Sequence, residues 1–160
     1  MIKDYRKSID DEIDWKLIDQ LHNSTLNFSS TSLELKKIFF VLVGIVVPTL
    51  IKLANDRLDW SLFITFYVLI PTFWFLDSFT YYYQEKLREM MNKKFADIKE
   101  RNKEITVIVD KKEYNYTIES ARSKDLRLFR SVFNYSLAIY PILLLLNTIC
   151  SLLYWKEIIG

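Results

Sequence analysis

Two glycines, one cysteine and one histidine among 160 residues rule out several kinds of chemical site. Gly44 and Gly160 are too few and too far apart to form a glycine-rich loop that cradles a phosphate. Cys150 has no second cysteine with which to close an intramolecular disulfide. Together with His22 it falls short of a Cys/His zinc set. His22 lies in a polar N-terminal stretch, where it reads as a solvated helix residue, and no serine–histidine pair can be argued around it. No enzymatic activity, cofactor or resident metal is therefore expected. Repeats and Pro- or Gly-rich linkers are also missing, and the length suits one domain.

What is present is apolar, aromatic and unevenly distributed. Hydrophobic residues make up 51% of the chain, and they gather into three blocks with most charges lying between them. The first is IFFVLVGIVVPTLI, residues 38–51, extended by Leu53 and Ala54. The second runs from Trp60 to about Tyr83, and the third from Ser131 to Trp155. About 20 helical residues cross a hydrocarbon core of about 30 Å. Blocks two and three reach that length, and the shorter block one fits a smaller tilt or a thinned bilayer. Three buried helices of a soluble core are the competing reading. Block three is apolar almost all the way round, which soluble helices rarely are.

The expected architecture is an all-α membrane protein. Residues 1–33 are read as a cytoplasmic amphipathic helix with no secretory leader, Tyr5, Ile9, Ile13, Leu17 and Leu21 recurring every four residues. The serines and threonines of NSTLNFSSTSLE then end this helix and cap the next. Residues 34–83 form a transmembrane hairpin. Residues 84–130 begin with a long helix continuing block two, followed by a small β-hairpin pairing Ile105–Val109 with Tyr114–Ile118. Residues 131–160 hold the third transmembrane helix. Segment 84–130 carries 13 lysines and arginines against nine acids. The positive-inside rule places it and the N-terminus in the cytoplasm, with the 52–59 loop and the C-terminus outside. Tyr81, Tyr82 and Tyr83 at one end of block two, with Trp60 and Tyr154–Trp155 at the opposite side, mark the interfaces.

The run PTFWFLDSFTYYYQEKLREM, an aromatic-rich second span passing into a charged helix before a third span, resembles a group of small bacterial membrane proteins. The order of parts matches from about residue 36 to 155. These proteins are similar to membrane effectors of anti-phage defence, the Hailong-type effector being the nearest resemblance and SLATT-type effectors the second. The resemblance implies an oligomeric channel of the bacterial inner membrane, acting in abortive infection. It would be gated by an oligonucleotide or cyclic nucleotide made by a nucleotidyltransferase. A non-conducting adaptor that tethers a cytoplasmic partner is the alternative function.

Several residues carry the candidate chemistry. Asp77 interrupts the aromatic run of block two, where a mid-span carboxylate costs about 2.5–3.5 kcal/mol unless it faces protein or water. It either pairs with Lys37 or Arg130 on a neighbouring helix, lines the inner mouth of a cation pathway, or bonds a tyrosine hydroxyl. Asn147 and Ser151 share a face of block three, bordered by Thr148; these groups either join helices or line a pore. Three helices enclose a water path poorly, so conduction would require a homo-oligomer, a tetramer or larger. Arg122, Lys124, Arg127 and Arg130 are the candidate phosphate cluster, with Phe129 and Tyr114 able to stack a base. The same cations also serve topology or contact with anionic lipid. Pro48, Pro71 and Pro141, one per block, read as packing kinks or as gating kinks.

Overall fold

The computed structural model describes residues 8–55, 58–102 and 126–157. The expected β-hairpin, Arg122, Lys124 and Tyr114 lie outside them, as do the first seven residues. Among the described residues every regular element is helical.

Helix α1 spans Ile9–Leu53, 45 residues. Ser8 caps it by accepting from the Asp11 amide, and Asp10, Asp11 and Glu12 place negative charge at the positive end of the helix dipole. The expected break after residue 24 is absent, so α1 runs straight through the 33/34 boundary. Its polar stretch stays helical because the hydroxyls bond back to carbonyls of the preceding turn. Ser24 donates to Gln20 O, Thr25 to Leu21 O, and Ser30 and Thr31 both to Asn27 O. Side chains expected to stop and restart a helix are satisfied within it.

A short connection follows, with Asn55 in the left-handed region at φ 56°, a conformation asparagine tolerates better than most residues. Asp59 caps helix α2, Trp60–Arg101, through the Ser61 amide. At 42 residues α2 is about 63 Å long, so it runs unbroken from the apolar block into the charged segment.

Helices α1 and α2 pack antiparallel along a seam with alternating spacings of three and four. On α1 it comprises Asp11, Asp14, Ile18, Leu21, Thr25, Phe28, Ser32, Leu35 and Phe39, all buried or half-buried. On α2 the matching series is Asp77, Thr80, Gln84, Leu87, Met91, Lys94, Ile98 and Arg101. A 3.5-residue period is the mark of left-handed coiled-coil packing. It corrects the expected N-terminal stripe, because Ile9 and Ile13 are exposed. A strict four-residue step drifts around a 3.6-residue helix, and the true seam was concealed by acids and a threonine at its buried positions.

The distal apolar cluster of this hairpin is Ile18, Leu21 and Met91, supported by Leu17, Leu87, Phe95 and Ile98. Trp15 packs edge-on against Phe95. The second cluster, Phe39, Ile70, Leu137 and Tyr140, joins both long helices to the C-terminal part of the chain.

That part does not form one helix from Ser131. Helix α3 covers only Arg127–Val132. The chain then turns through a 3₁₀ segment, Tyr135–Leu137, in which the Asn134 side chain accepts from the Ser136 amide. Helix α4, Ile139–Trp155, begins there. Its Pro141 falls in the first turn, where no intrahelical bond is lost, so it produces no kink. Pro48 and Pro71 do lie inside α1 and α2.

Among the described residues two segments are long and apolar enough to cross a membrane, α2 and Tyr135–Trp155. Only 28% and 17% of their most apolar windows are buried, so most of this apolar surface faces outward. The helix of a soluble core would be largely covered.

Candidate functional site

Asp77 is fully buried where α1, α2 and α4 meet. From α1, Ser32 donates to its Oδ1 and Lys36 Nζ lies 2.9 Å from its Oδ2. From α4, the Tyr140 hydroxyl donates to Oδ2 at 3.1 Å. From α2 itself, Thr80 Oγ1 donates to the Asp77 carbonyl at 2.7 Å and reaches Oδ1 at 3.3 Å. Three side-chain donors, Ser32, Lys36 and Tyr140, thus hold the carboxylate, while the single Thr80 hydroxyl proton is shared between the Asp77 carbonyl and Oδ1. Lys36 also donates to Ser32 Oγ at 2.9 Å, which closes a ring of bonds across the hairpin.

The seam explains this convergence. Ser32 and Lys36 are four apart on one face of α1, opposite Asp77 in the antiparallel register. Tyr140, itself fully buried, reaches the same carboxylate from the first turn of α4, with its ring edge-on to Phe39 at 5.8 Å. The expected cation partners were Lys37 or Arg130, and both are replaced by Lys36. Lys37 is exposed, one helical step (about 100°) round from Lys36 and away from the seam.

The polar face of α4 turns toward α2. Asn147 Nδ2 donates to Phe63 O at 3.3 Å. The Tyr67 hydroxyl donates to Thr148 Oγ1 at 3.1 Å and lies 3.2 Å from Ser151 Oγ. Thr148 and Ser151 bond back to the Leu144 and Thr148 carbonyls. At the far end the Tyr154 hydroxyl donates to Leu58 O, and its ring meets Trp60 edge-on at 5.5 Å. These groups join the two helices within one chain.

Of the candidate phosphate cluster, Arg127 and Arg130 are described, and both face acids of α2. Arg127 pairs with Glu89 and sits over the Tyr82 ring at 5.8 Å. Arg130 lies 3.5 Å from Glu85. Trp74 Nε1 donates to Val132 O at 2.9 Å, anchoring α3 to the same helix. Glu85 and Glu89, four residues apart, share one helix face, and Arg127 and Arg130, three apart, share another that meets it in the opposite order. That complementarity was available in the sequence.

A second polar cluster closes the distal end of the hairpin. Arg101 bonds Asp11 through Nε at 2.9 Å and Asp14 through Nη2 at 2.6 Å. Asn102 donates to Asp11 at 3.1 Å, and Lys94 lies 3.0 Å from Asp14. The Asn102 bond, with Arg101 and Ser8, holds the Asp11 carboxyl below its ordinary value. Arg101 and then Lys94 do the same for Asp14, and Asp14 in turn raises both cations.

Among the described residues no three His, Cys, Asp or Glu side chains gather as metal ligands. Comparison with family models, curated proteins and solved structures finds no match for this chain.

Proposed function

We propose that this chain is a three-span membrane effector of bacterial defence, acting as an oligomeric channel that depolarises the inner membrane when opened. The spans are the apolar ends of α1 and α2 and the Tyr135–Trp155 segment. The N-terminus and the distal hairpin are cytoplasmic, as the positive charge of segment 84–130 requires. The observation that carries this reading is the Asp77 ring. It ties a continuous cytoplasmic lever, α1, to the first turn of the last span, so a signal received on the stalk reaches the membrane without crossing a hinge.

In this reading the structure is a closed state. Asp77, Asn147, Thr148 and Ser151 are all engaged within the chain, and opening requires the Lys36–Asp77–Tyr140 contacts to change. A nucleotide or oligonucleotide would act through the basic segment that contains Arg122 and Lys124. A tetramer or larger assembly supplies the pore.

The same engagement of the candidate pore residues favours the second reading, a non-conducting adaptor whose stalk tethers a cytoplasmic partner. Membrane potential measured in cells expressing the chain separates the two. Depolarisation on expression or on infection supports the channel, and an unchanged potential alongside correct membrane insertion leaves the adaptor. Orientation is tested by cysteines introduced at Arg57 and Asn102 in a Cys150→Ser background. An impermeant thiol reagent should label only the first from outside the cell.

A further inference from the structure

The Asp77 ring has an outer side. Against it lies a cavity of about 490 Å³, bounded by Ser29, Ser32 and Lys36 of α1, Tyr81 and Gln84 of α2, and Ser136 of the 3₁₀ turn. Gln84 is 5% exposed, occupies a seam position and lines this cavity, yet its amide has no hydrogen-bond partner among the described residues. None of its polar atoms is sealed from solvent without a partner, so the amide opens onto the cavity and can bond an occupant there.

The lining defines that occupant's chemistry. No carboxylate lines the cavity, because Asp77 lies behind Lys36 with its oxygens filled. The Lys36 ammonium has three N–H groups, of which Asp77 and Ser32 take two. The free groups are one ammonium N–H, the Gln84 amide and the hydroxyls of Ser29, Tyr81 and Ser136. This donor-rich set matches an anion with several oxygen acceptors.

Position selects the source. Lys36 is two residues before the first apolar block, Ser136 opens the last span, and Tyr81 belongs to the aromatic boundary. Leu26 and Leu33, both exposed, form the apolar rim. We infer that this cavity binds the phosphodiester headgroup of an anionic membrane phospholipid on the cytoplasmic side, its acyl chains lying along the neighbouring outward apolar faces. Basic and polar pockets between spans at this level suit such headgroups. The inference rests on the membrane reading. It adds a ligand on the outer side of Lys36, whose inner side holds Asp77, so lipid composition would bias the ring.

The test uses the purified full chain in neutral detergent, with dioleoyl phosphatidylglycerol added and bound lipid counted by native mass spectrometry. Glycerol phosphate and dioleoyl phosphatidylcholine are parallel probes. Phosphatidylglycerol should form a discrete adduct, and Gln84→Leu should weaken it about tenfold, the loss of one hydrogen bond to a charged group. Gln84→Leu should keep or raise the melting temperature, because leucine suits a seam position. The Ser29→Ala/Ser136→Ala pair should weaken binding without altering the fold. Equal binding of both lipids, or adducts unaffected by either variant, overturns the site. Binding of glycerol phosphate as tight as that of the lipid overturns the lipid source. Alkaline carbonate extraction of native membranes is run separately. A chain released by carbonate fails the membrane reading, whereas a retained chain without adducts fails only this inference.

Discussion

The two polar clusters of the α1–α2 hairpin both pair aspartate with a cation and differ in what surrounds that pair. At the distal end Asp11 and Asp14 meet Arg101 and Lys94, cations whose side chains remain 36% and 35% exposed. In the ring, Asp77 is fully buried, Lys36 is 19% exposed, and the Ser32 and Tyr140 hydroxyls donate from other helices. The distal cluster joins two helices and can exchange its partners for water. The ring joins three, and losing any member strands a charge or hydroxyl away from solvent. Burial and helix count, more than the number of ion pairs, separate a fastening from a fulcrum.

Breaking the ring should have the largest effect. Asp77→Asn leaves Lys36 without its counter-charge and should cost about 3 kcal/mol, the low end for a broken buried pair because Lys36 retains some solvent. Thermal unfolding in detergent would read this as a large fall in melting temperature and loss of assembled protein. The double variant Lys36→Met/Asp77→Leu should recover much of that loss, since apolar replacements of buried pairs are often neutral. A stable Asp77→Asn protein that merely conducts less would instead place the carboxylate in an ion pathway.

Acid should separate the clusters next. Asp11 and Asp14 have folded-state values below the unfolded one, so their stabilisation is full above the ordinary carboxylate value of about 4. It is lost as pH falls through the depressed values. A variant keeping Trp15 as its sole tryptophan should show the Trp15–Phe95 contact loosening below about pH 4. Arg101→Gln should move this transition toward higher pH. An unmoved transition would mean that the distal pairs contribute nothing to holding the hairpin end.

The smallest effect belongs to the α2–α4 interface. Asn147→Leu removes one amide bond to a carbonyl already within a helix, and should cost about 0.6 kcal/mol, the average for polar contacts between membrane helices. Melting temperature and membrane conductance should both stay near those of the parent. A large change in conductance with no change in stability would assign Asn147 to a pore.

Much of this architecture is legible in the sequence, and the parts that are not have specific causes. The apolar blocks, the passage of α2 into the charged segment and the singular position of Asp77 follow from patterning alone. The continuity of α1 does not, because serine and threonine offer the same hydroxyl to a cap and to the preceding turn, and only tertiary packing on α2 selects the second. The distal seam is hidden in the sequence because Asp11, Asp14 and Thr25 occupy it, so apolar periodicity points to Ile9 and Ile13 instead. Lys36 and Lys37 are adjacent, and choosing between them requires the register of the opposing helix. Tyr140 carries no local signal of its role, which depends on the break at Asn134 that lets α4 begin beside the ring.

The unbroken seam also fixes how this chain can change length. A single residue inserted between Thr25 and Ser32 would turn everything beyond it by about 100°, carrying Lys36 away from Asp77 or the distal acids away from Arg101. Seven residues, matched by seven on the facing stretch of α2, would restore both ends. Relatives of this protein should therefore differ in stalk length by whole heptads added to both helices together, so the distance from membrane to tip grows in steps of about 10 Å.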